Sequence, residues 1–269
     1  GRSGWFGGWL GYSLVILLGV LGIIAVEKWV KGDRPVCIAA FSAFLLRAGL
    51  GISFMLILPV VGYQDNPASL AGYLYKDAYV RDQQAWSLAT SGEPLIRAFT
   101  EGYSGDQYGG LLALSALIYR YIGFGEHRPW LVLILSAGVS GCSVLWLWKA
   151  AREWLEGEEQ PFHFNEKIVL GTFVPLAAAW IFALYPEGVF LGAAHMREPF
   201  VMACTALALY SLTQVRKRPR QWWLWFILAV VTLFLFQLPI ALAVIMVSIG
   251  WLLLGYGRRL NWKIWLLIV

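Results

Sequence analysis

The chain has 269 residues, of which 59% are hydrophobic and 14% charged, and its mean hydropathy is +0.64. Soluble domains carry about 45–50% apolar and about 25% charged residues, so this composition excludes an ordinary soluble domain and indicates a polytopic membrane protein. The net charge of +5 does not indicate nucleic-acid binding, because the basic residues cluster in short connections between apolar segments.

Seven apolar segments approach the length of about 20 residues that a membrane-spanning helix needs. They cover residues 9–26, 36–61, 130–148, 168–185, 200–215, 222–237 and 238–256, and an eighth begins near Trp262. The last two of the seven abut at Pro239, a plausible turn, because their joint run is too long for one helix. We predict an all-α transmembrane bundle with about seven to eight spans, and we expect this chain to be the N-terminal part of a longer polypeptide.

A polar connection, residues 62–129, separates the second span from the third. Its part from Gly62 to Tyr108 carries six carboxylates: Asp65, Asp77, Asp82, Glu93, Glu101 and Asp106. Ionisable groups are costly near a membrane and usually have a purpose, so this loop is the first place to look for chemistry. Asp77 begins an amphipathic pattern that continues through Ala85 and Leu88, which predicts a helix with Asp77 near its N-terminus. Residues 111–122 are apolar but short and contain Arg120, and we predict a helix lying on the membrane surface.

The basic residues indicate which connections face the cytoplasm. Thirteen of the 21 lie in alternate connections: Lys28, Lys31, Arg34, Lys149, Arg152, Lys167, Arg216, Lys217, Arg218, Arg220, Arg258, Arg259 and Lys263. By the positive-inside rule these connections are cytoplasmic, and the carboxylate-rich loop faces outward. Arg47 lies in the middle of the second span, where it can snorkel, pair with an acid on another helix or approach a lipid phosphate, and we favour structural pairing.

Several short motifs occur in a recognisable order. They are Leu45-Leu46-Arg47 in the span before the loop, Asp77 eight residues before an alanine, Tyr121-Ile122-Gly123, Ala183-Leu184-Tyr185-Pro186 and Met196-Arg197-Glu198-Pro199. This order resembles the GT-C membrane glycosyltransferases, and it is most similar to their protein O-mannosyltransferase and lipid A aminoarabinose transferase branch. The resemblance divides the chain into an additional N-terminal helix with its cytoplasmic turn, residues 1–34, and a GT-C-like domain, residues 35–269, truncated at its C-terminus.

The resemblance implies a glycosyltransferase of the cell membrane, either plasma or inner. Its donor would be a polyprenyl-phosphate sugar carrying a hexose or pentose, and its acceptor a hydroxyl of a lipid, glycan or protein on the outer face. The family's catalytic carboxylate lies in the first outward loop, where Asp77 matches it by position, and a second acid matches Glu198. A carboxylate can take the acceptor proton and stabilise an oxocarbenium-like transition state, and partial burial would raise its pKa.

The lipid-phosphate leaving group needs cations or backbone donors, for which Arg81, Arg197 and Lys76 are on the appropriate side, and we group Asp82 with these substrate-binding residues. Each assignment has a plainer alternative. Asp77 and Asp82 can simply solvate the loop or cap a helix, Arg81 can form an ion pair with Asp77, and Glu198 can cap the helix that Pro199 begins. His195 is a candidate metal ligand, but it has no second ligand at a suitable spacing, so the need for a divalent metal is left open.

Two functions of other classes remain open at this point. A transporter or flippase would be expected to show inverted repeats and broken helices near the midplane, and we find neither pattern in the sequence. A non-catalytic subunit of a membrane complex would share the composition and the topology of an enzyme. Whether the chain is a transferase, a transporter or a non-catalytic subunit, we expect it to contact membrane lipids and not to bind nucleic acid.

Overall fold

The computed structural model describes residues 2–63, 65–100, 109–157, 164–215 and 219–257, and within these ranges it is helical and contains no strand. This confirms the all-α prediction. The α-helices are α1 (Arg2–Val30), α2 (Arg34–Val61), α3 (Pro67–Leu70), α4 (Lys76–Ser91), α5 (Gly110–Tyr121), α6 (Pro129–Gly157), α7 (Phe164–Leu184), α8 (Pro186–Ala193), α9 (Glu198–Val215), α10 (Pro219–Phe236) and α11 (Leu238–Gly257), with a 3₁₀ helix (Leu95–Phe99) between α4 and α5.

Fewer helices qualify as spans than the sequence suggested. In the described part of the chain, α1, α2 and α6 are long and apolar enough to cross a membrane, and α7 with α8 makes a fourth if the bent pair is counted as one span. Helices α10 and α11 divide the apolar run between them and are shorter, as the turn at Gln237 and Pro239 predicted. The eighth span, which we expected near Trp262, lies outside the described residues.

Helix α6 lies at the centre of the bundle and packs against α1, α2, α7 and α9, while α10 packs on the far side of α9. Helices α1 and α2 turn many large apolar side chains outward, Leu17, Leu21 and Leu45 among them. Such surfaces are suited to contact with lipid. Glycines bring α1 and α6 close together: a Cβ on Gly138 would lie 2.9 Å from the Cα of Gly19. Small residues at crossings are typical of packing inside membranes, where dispersion contacts replace the hydrophobic effect.

The connections gather at two opposite ends of the bundle. At one end, which we call the site end, Arg128 donates to the carbonyl of Gly4 at the start of α1 (2.5 Å), and Arg197 donates to the carbonyl of Phe236 at the end of α10 (3.5 Å). At the other end Arg152 of α6 pairs with Asp33 between α1 and α2 (3.3 Å). The carboxylate-rich loop and the segment before α9 therefore share the site end.

Helices α7 and α8 are bent by 47° at Tyr185, the residue before Pro186. A break of this kind leaves the last carbonyls of a helix without their usual partners. Arg47 of α2, only 1% exposed, fills the gap by donating to the carbonyls of Ala183 (2.9 Å), Gly188 (3.3 Å) and Phe182 (3.5 Å). Arg47 is thus structural, but its described partners are backbone carbonyls and not the acid on another helix that we expected. The bundle also contains a broken helix that the sequence analysis did not identify.

Candidate functional site

The buried face of α4 carries a carboxylate. Ala78, Asp82, Ala85 and Leu88 recur at helical spacing and are all buried, and Asp82 is only 2% exposed. The helix ends at Gly92, whose left-handed conformation (φ +73°) suits the glycine there. Asp82 is thus directed into the protein by the same apolar stripe that packs α4 on its neighbours.

Three side chains from three separate segments hydrogen-bond to Asp82. The Tyr73 hydroxyl, before α4, donates to Oδ2 (2.5 Å), and the Tyr119 hydroxyl of α5 donates to Oδ1. The Nε2 atom of His127, just before α6, lies 2.5 Å from Oδ2. Because an ionised carboxylate only accepts, the proton of this imidazole lies on Nε2. Both oxygens of Asp82 are therefore held by donors, which is how a buried charge is stabilised.

His195 completes the ring around Asp82. Its Nδ1 atom lies 3.5 Å from Oδ1 of Asp82, and its ring stacks on Tyr73 at a centroid distance of 6.1 Å. The backbone of His195 is left-handed, with φ +59°, which is unusual for a residue other than glycine. Since α8 ends two residues earlier, at Ala193, this strained turn places the imidazole against the carboxylate.

The charge state of the cluster follows from burial and hydrogen bonding. Burial acts to raise the pKa of Asp82, but the hydrogen bond with His127, the charges of the two histidines and the Tyr119 hydroxyl outweigh it, and the net shift is downward. Burial is also the main cause that lowers the pKa of His195. Burial, together with the negative charge of Asp82, raises the pKa of Tyr73 and Tyr119. Near neutral pH, Asp82 is ionised, His195 neutral and both phenols protonated.

Burial alone would raise the pKa of Asp82, but the net shift is downward. The reason is the number of donors around it, because each stabilises the charged form. A carboxylate of this kind is a weak base and a strong local source of negative potential. It can orient a histidine or stabilise positive charge better than it can remove a proton.

The side chain of Arg81, like that of Asp82 next to it, points into the protein. It is buried, and its Nη1 atom lies 3.9 Å from the sulfur of Met196, which follows His195. A small cavity of about 10 Å³, room for about one water molecule, lies beside the cluster and is lined by Tyr73 and His195 together with Gly51, Phe54, Met55, Gly72, Leu74, Ala193 and Ala194. The segment before α9 contacts Arg81 through Met196 and lines the cavity through His195.

The structure separates the predicted site residues into two groups. Arg81 and Asp82 lie together and contact the segment that contains Met196. Asp77 and Lys76 lie in the first turn of α4 and are exposed, away from the buried cluster. The helix start that we predicted at Asp77 is confirmed. Its side chain, however, makes no hydrogen bond or ion pair with any residue that the structure describes.

Arg197 and Glu198 lie at the start of α9 and are half-buried. Arg197 contributes to the contact with α10. The Oε2 atom of Glu198 is buried, and within the described ranges it has no hydrogen-bond partner. Oε2 is therefore an acceptor that Glu198 can offer to another group. No group of three or more metal-ligating side chains occurs in the described part of the chain, and the buried Nδ1 atom of His195 lies near Asp82 without a hydrogen-bond partner among the described residues.

Sequence reasoning missed three members of the cluster: Tyr73, Tyr119 and His127. They lie 9, 37 and 45 residues from Asp82 in the chain, so no local spacing joins them. A signal for Asp82 itself was present. Asp82 is spaced three and four residues from Ala85 and Ala78 and lies within the apolar face of its helix, whereas Asp77 lies at the edge of that face, about three turns before Leu88 and in the exposed first turn.

No protein-family model matches this sequence, and neither a curated protein nor a solved structure is significantly similar to it. The resemblance to the GT-C transferases therefore stays a prediction. The Asp82 cluster is defined only by the contacts in the structure and not by that resemblance.

Proposed function

We propose that the chain is a membrane glycosyltransferase that moves a sugar from a polyprenyl-phosphate donor to an acceptor hydroxyl at the extracytoplasmic face, with Asp82 as the catalytic carboxylate. The observation that carries the proposal is a buried, ionised Asp82 among titratable side chains at the end of a helical bundle. The positive-inside rule assigns that end to the outer face, since Arg34 and Arg152 lie at the other.

The charges in the cluster suit sugar transfer. Cleavage of the bond between the anomeric carbon and the phosphate oxygen develops positive charge on the sugar, which the fixed negative charge of Asp82 would stabilise. The departing phosphate becomes more negative, and Arg81, next to Asp82, is placed to receive it. Arg197 at the start of α9 is a second candidate for the phosphate. Glu198 has a free buried oxygen with which to accept a hydrogen bond from a sugar or acceptor hydroxyl.

The assignment of Asp82 in place of Asp77 rests on burial. An exposed carboxylate interacts with a substrate through water, which screens the interaction, whereas a buried one acts at low dielectric. The sequence match to the family rests on position in the first loop and on the spacing of eight residues between Asp77 and Ala85; Asp82 shares the position but not the spacing.

The test uses the full chain in lipid nanodiscs and a panel of polyprenyl-phosphate sugars, with release of polyprenyl phosphate as the readout. Wild-type protein should release it in the presence of membrane-extract acceptors. Asp82→Asn should lower the rate at least about 100-fold, and Asp77→Asn should leave it within about twofold. Equal loss in both variants, or loss with Asp77→Asn alone, would contradict the choice of Asp82. No release from any donor by wild-type protein would contradict the function.

Transport of a lipid-linked sugar is the second candidate, because the α7–α8 pair is a broken helix of the kind that binds ions or substrates in transporters. In those proteins the carbonyls at the break are free to bind a ligand. Here Arg47 already occupies the carbonyls of Ala183 and Gly188. Movement of a fluorescent polyprenyl-phosphate sugar across proteoliposomes, without loss of its sugar, would favour transport over transfer.

A further inference from the structure

We propose that His127 is the general base of the reaction and that Asp82 holds it in position for that role. The proposal rests on the proposed glycosyl transfer and adds to it the group that removes the acceptor proton. In this arrangement Asp82 has two roles. It orients His127, which removes the acceptor proton, and its negative charge stabilises the positive charge that develops on the sugar.

The imidazole of His127 is held on three sides. Its Nε2 atom is 2.5 Å from Oδ2 of Asp82. One face stacks on Trp86 (centroid distance 5.2 Å, interplanar angle 23°), and the ring meets Tyr119 edge-on (5.2 Å, 89°). A ring fixed by stacking and by a carboxylate has one orientation and one tautomer, the pre-organisation that a positioned base requires.

The tautomer leaves the second nitrogen as a base. With the proton on Nε2, the lone pair of Nδ1 is free to accept, and no described residue bonds to Nδ1. The side chain of His127 is 24% exposed, whereas Asp82 beside it is fully enclosed. A substrate hydroxyl can therefore reach His127 without entering the ring of donors around Asp82.

The other titratable groups of the cluster are less suited to the task. His195 is buried and turns its Nδ1 atom toward Asp82. Tyr73 and Tyr119 keep their protons and donate them to the carboxylate. The groups that face His127 are Asp82 from α4, Tyr119 from α5 and, across the carboxylate, His195 before α9.

The transfer of the sugar needs only the donor, the acceptor and the side chains of this site. Nδ1 of His127 takes the proton of the acceptor hydroxyl while the oxygen bonds to the anomeric carbon. The bond between that carbon and the phosphate oxygen breaks, and the electron pair leaves with the polyprenyl phosphate. The imidazolium that forms is stabilised by Asp82 and returns its proton to water or to the departing phosphate.

A first experiment needs no substrate. Wild-type protein in nanodiscs is treated briefly with diethyl pyrocarbonate, which acylates unprotonated, accessible imidazole nitrogens, and the modified residues are identified by mass spectrometry. We expect rapid modification of His127 and protection of His195. Protection of His127 would overturn the proposal whether or not the chain transfers sugar.

A second experiment measures turnover with the donor that the wild-type protein accepts. His127→Gln should lower kcat about 100-fold or more, which is the lower range for loss of a general base, without a matching rise in KM. Thr90→Ala, an exposed change at the far end of α4, is the control and should retain both kcat and KM.

The outcomes separate the two proposals. A wild-type kcat in His127→Gln, alongside an inactive Asp82→Asn, would leave the transferase intact and remove His127 as its base. If His127→Gln loses thermal stability, His127→Asn provides a second substitution, and only a loss of kcat in a variant with a wild-type melting temperature supports the proposal.

Discussion

At the scale of single residues, His195 and Asp82 each make the free energy of unfolding depend on pH, and they do so in two different pH ranges. The pKa of His195 is lowered in the folded protein, so the unfolded chain takes up a proton first, and stability falls as the pH drops below about 6.5. The pKa of Asp82 is also lowered, and its contribution is present above about pH 4 and is lost as the pH falls through the folded value. Acidification therefore lowers the stability of the folded protein through both groups, first through His195 and then, at lower pH, through Asp82.

We expect His195→Gln to remove the pH dependence in the first range and to leave that in the second. The measurement is the melting temperature in nanodiscs between about pH 3 and pH 8. The wild-type melting temperature should begin to fall near pH 6.5, and that of His195→Gln only near the carboxylate range. An unchanged fall from pH 6.5 in the variant would assign the first range to another group.

At the scale of elements, α2 approaches α6 and α8 at a glycine. A Cβ on Gly51 would lie 2.6 Å from the carbonyl oxygen of Ala193 and 2.5 Å from a methyl group of Leu133. Gly49 lies in the same helix with nothing within 4 Å of its added Cβ. This pair separates the effect of crowding from the general effect of removing a helical glycine.

Gly51→Ala should destabilise the protein by about 1–3 kcal/mol, the usual cost of overpacking. Gly49→Ala should be neutral or stabilising by up to about 1 kcal/mol, because alanine is the better helix former. Thermal or SDS-induced unfolding of both variants in the same micelles checks the difference. Equal stabilities would mean that α8 moves away from α2 at no cost.

The limits of sequence reasoning also appear at this scale. The apolar runs predicted α1, α2 and α6, and Asp77 marked where α4 begins, because composition and local backbone preferences determine these features. The break at Tyr185 had a local signal in Pro186, since the residue before a proline disfavours helix. The Asp82 cluster had none beyond its position on the apolar face, because its members meet only when α4, α5 and the start of α6 pack.

At the scale of the whole molecule, the arrangement predicts which end faces the outside. Single cysteines are introduced at exposed Lys76 and exposed Arg220, in a background with Cys37, Cys142 and Cys204 replaced by alanine or serine. An impermeant maleimide added to intact cells should label position 76, while position 220 should react only after permeabilisation. The reverse pattern would place the Asp82 cluster on the cytoplasmic side and exclude an extracytoplasmic donor.

Arg47 also bears on how the chain is made. A helix with arginine at its centre enters the bilayer at a cost of about 2.5–3.5 kcal/mol on insertion scales. The carbonyl that Arg47 binds most closely belongs to Ala183, 136 residues further along the chain. During synthesis α2 therefore leaves the ribosome long before its partner exists, and its guanidinium must be sheltered by the translocon or by lipid headgroups until α7 and α8 arrive. Completion of the bundle is tied in this way to a late step of translation.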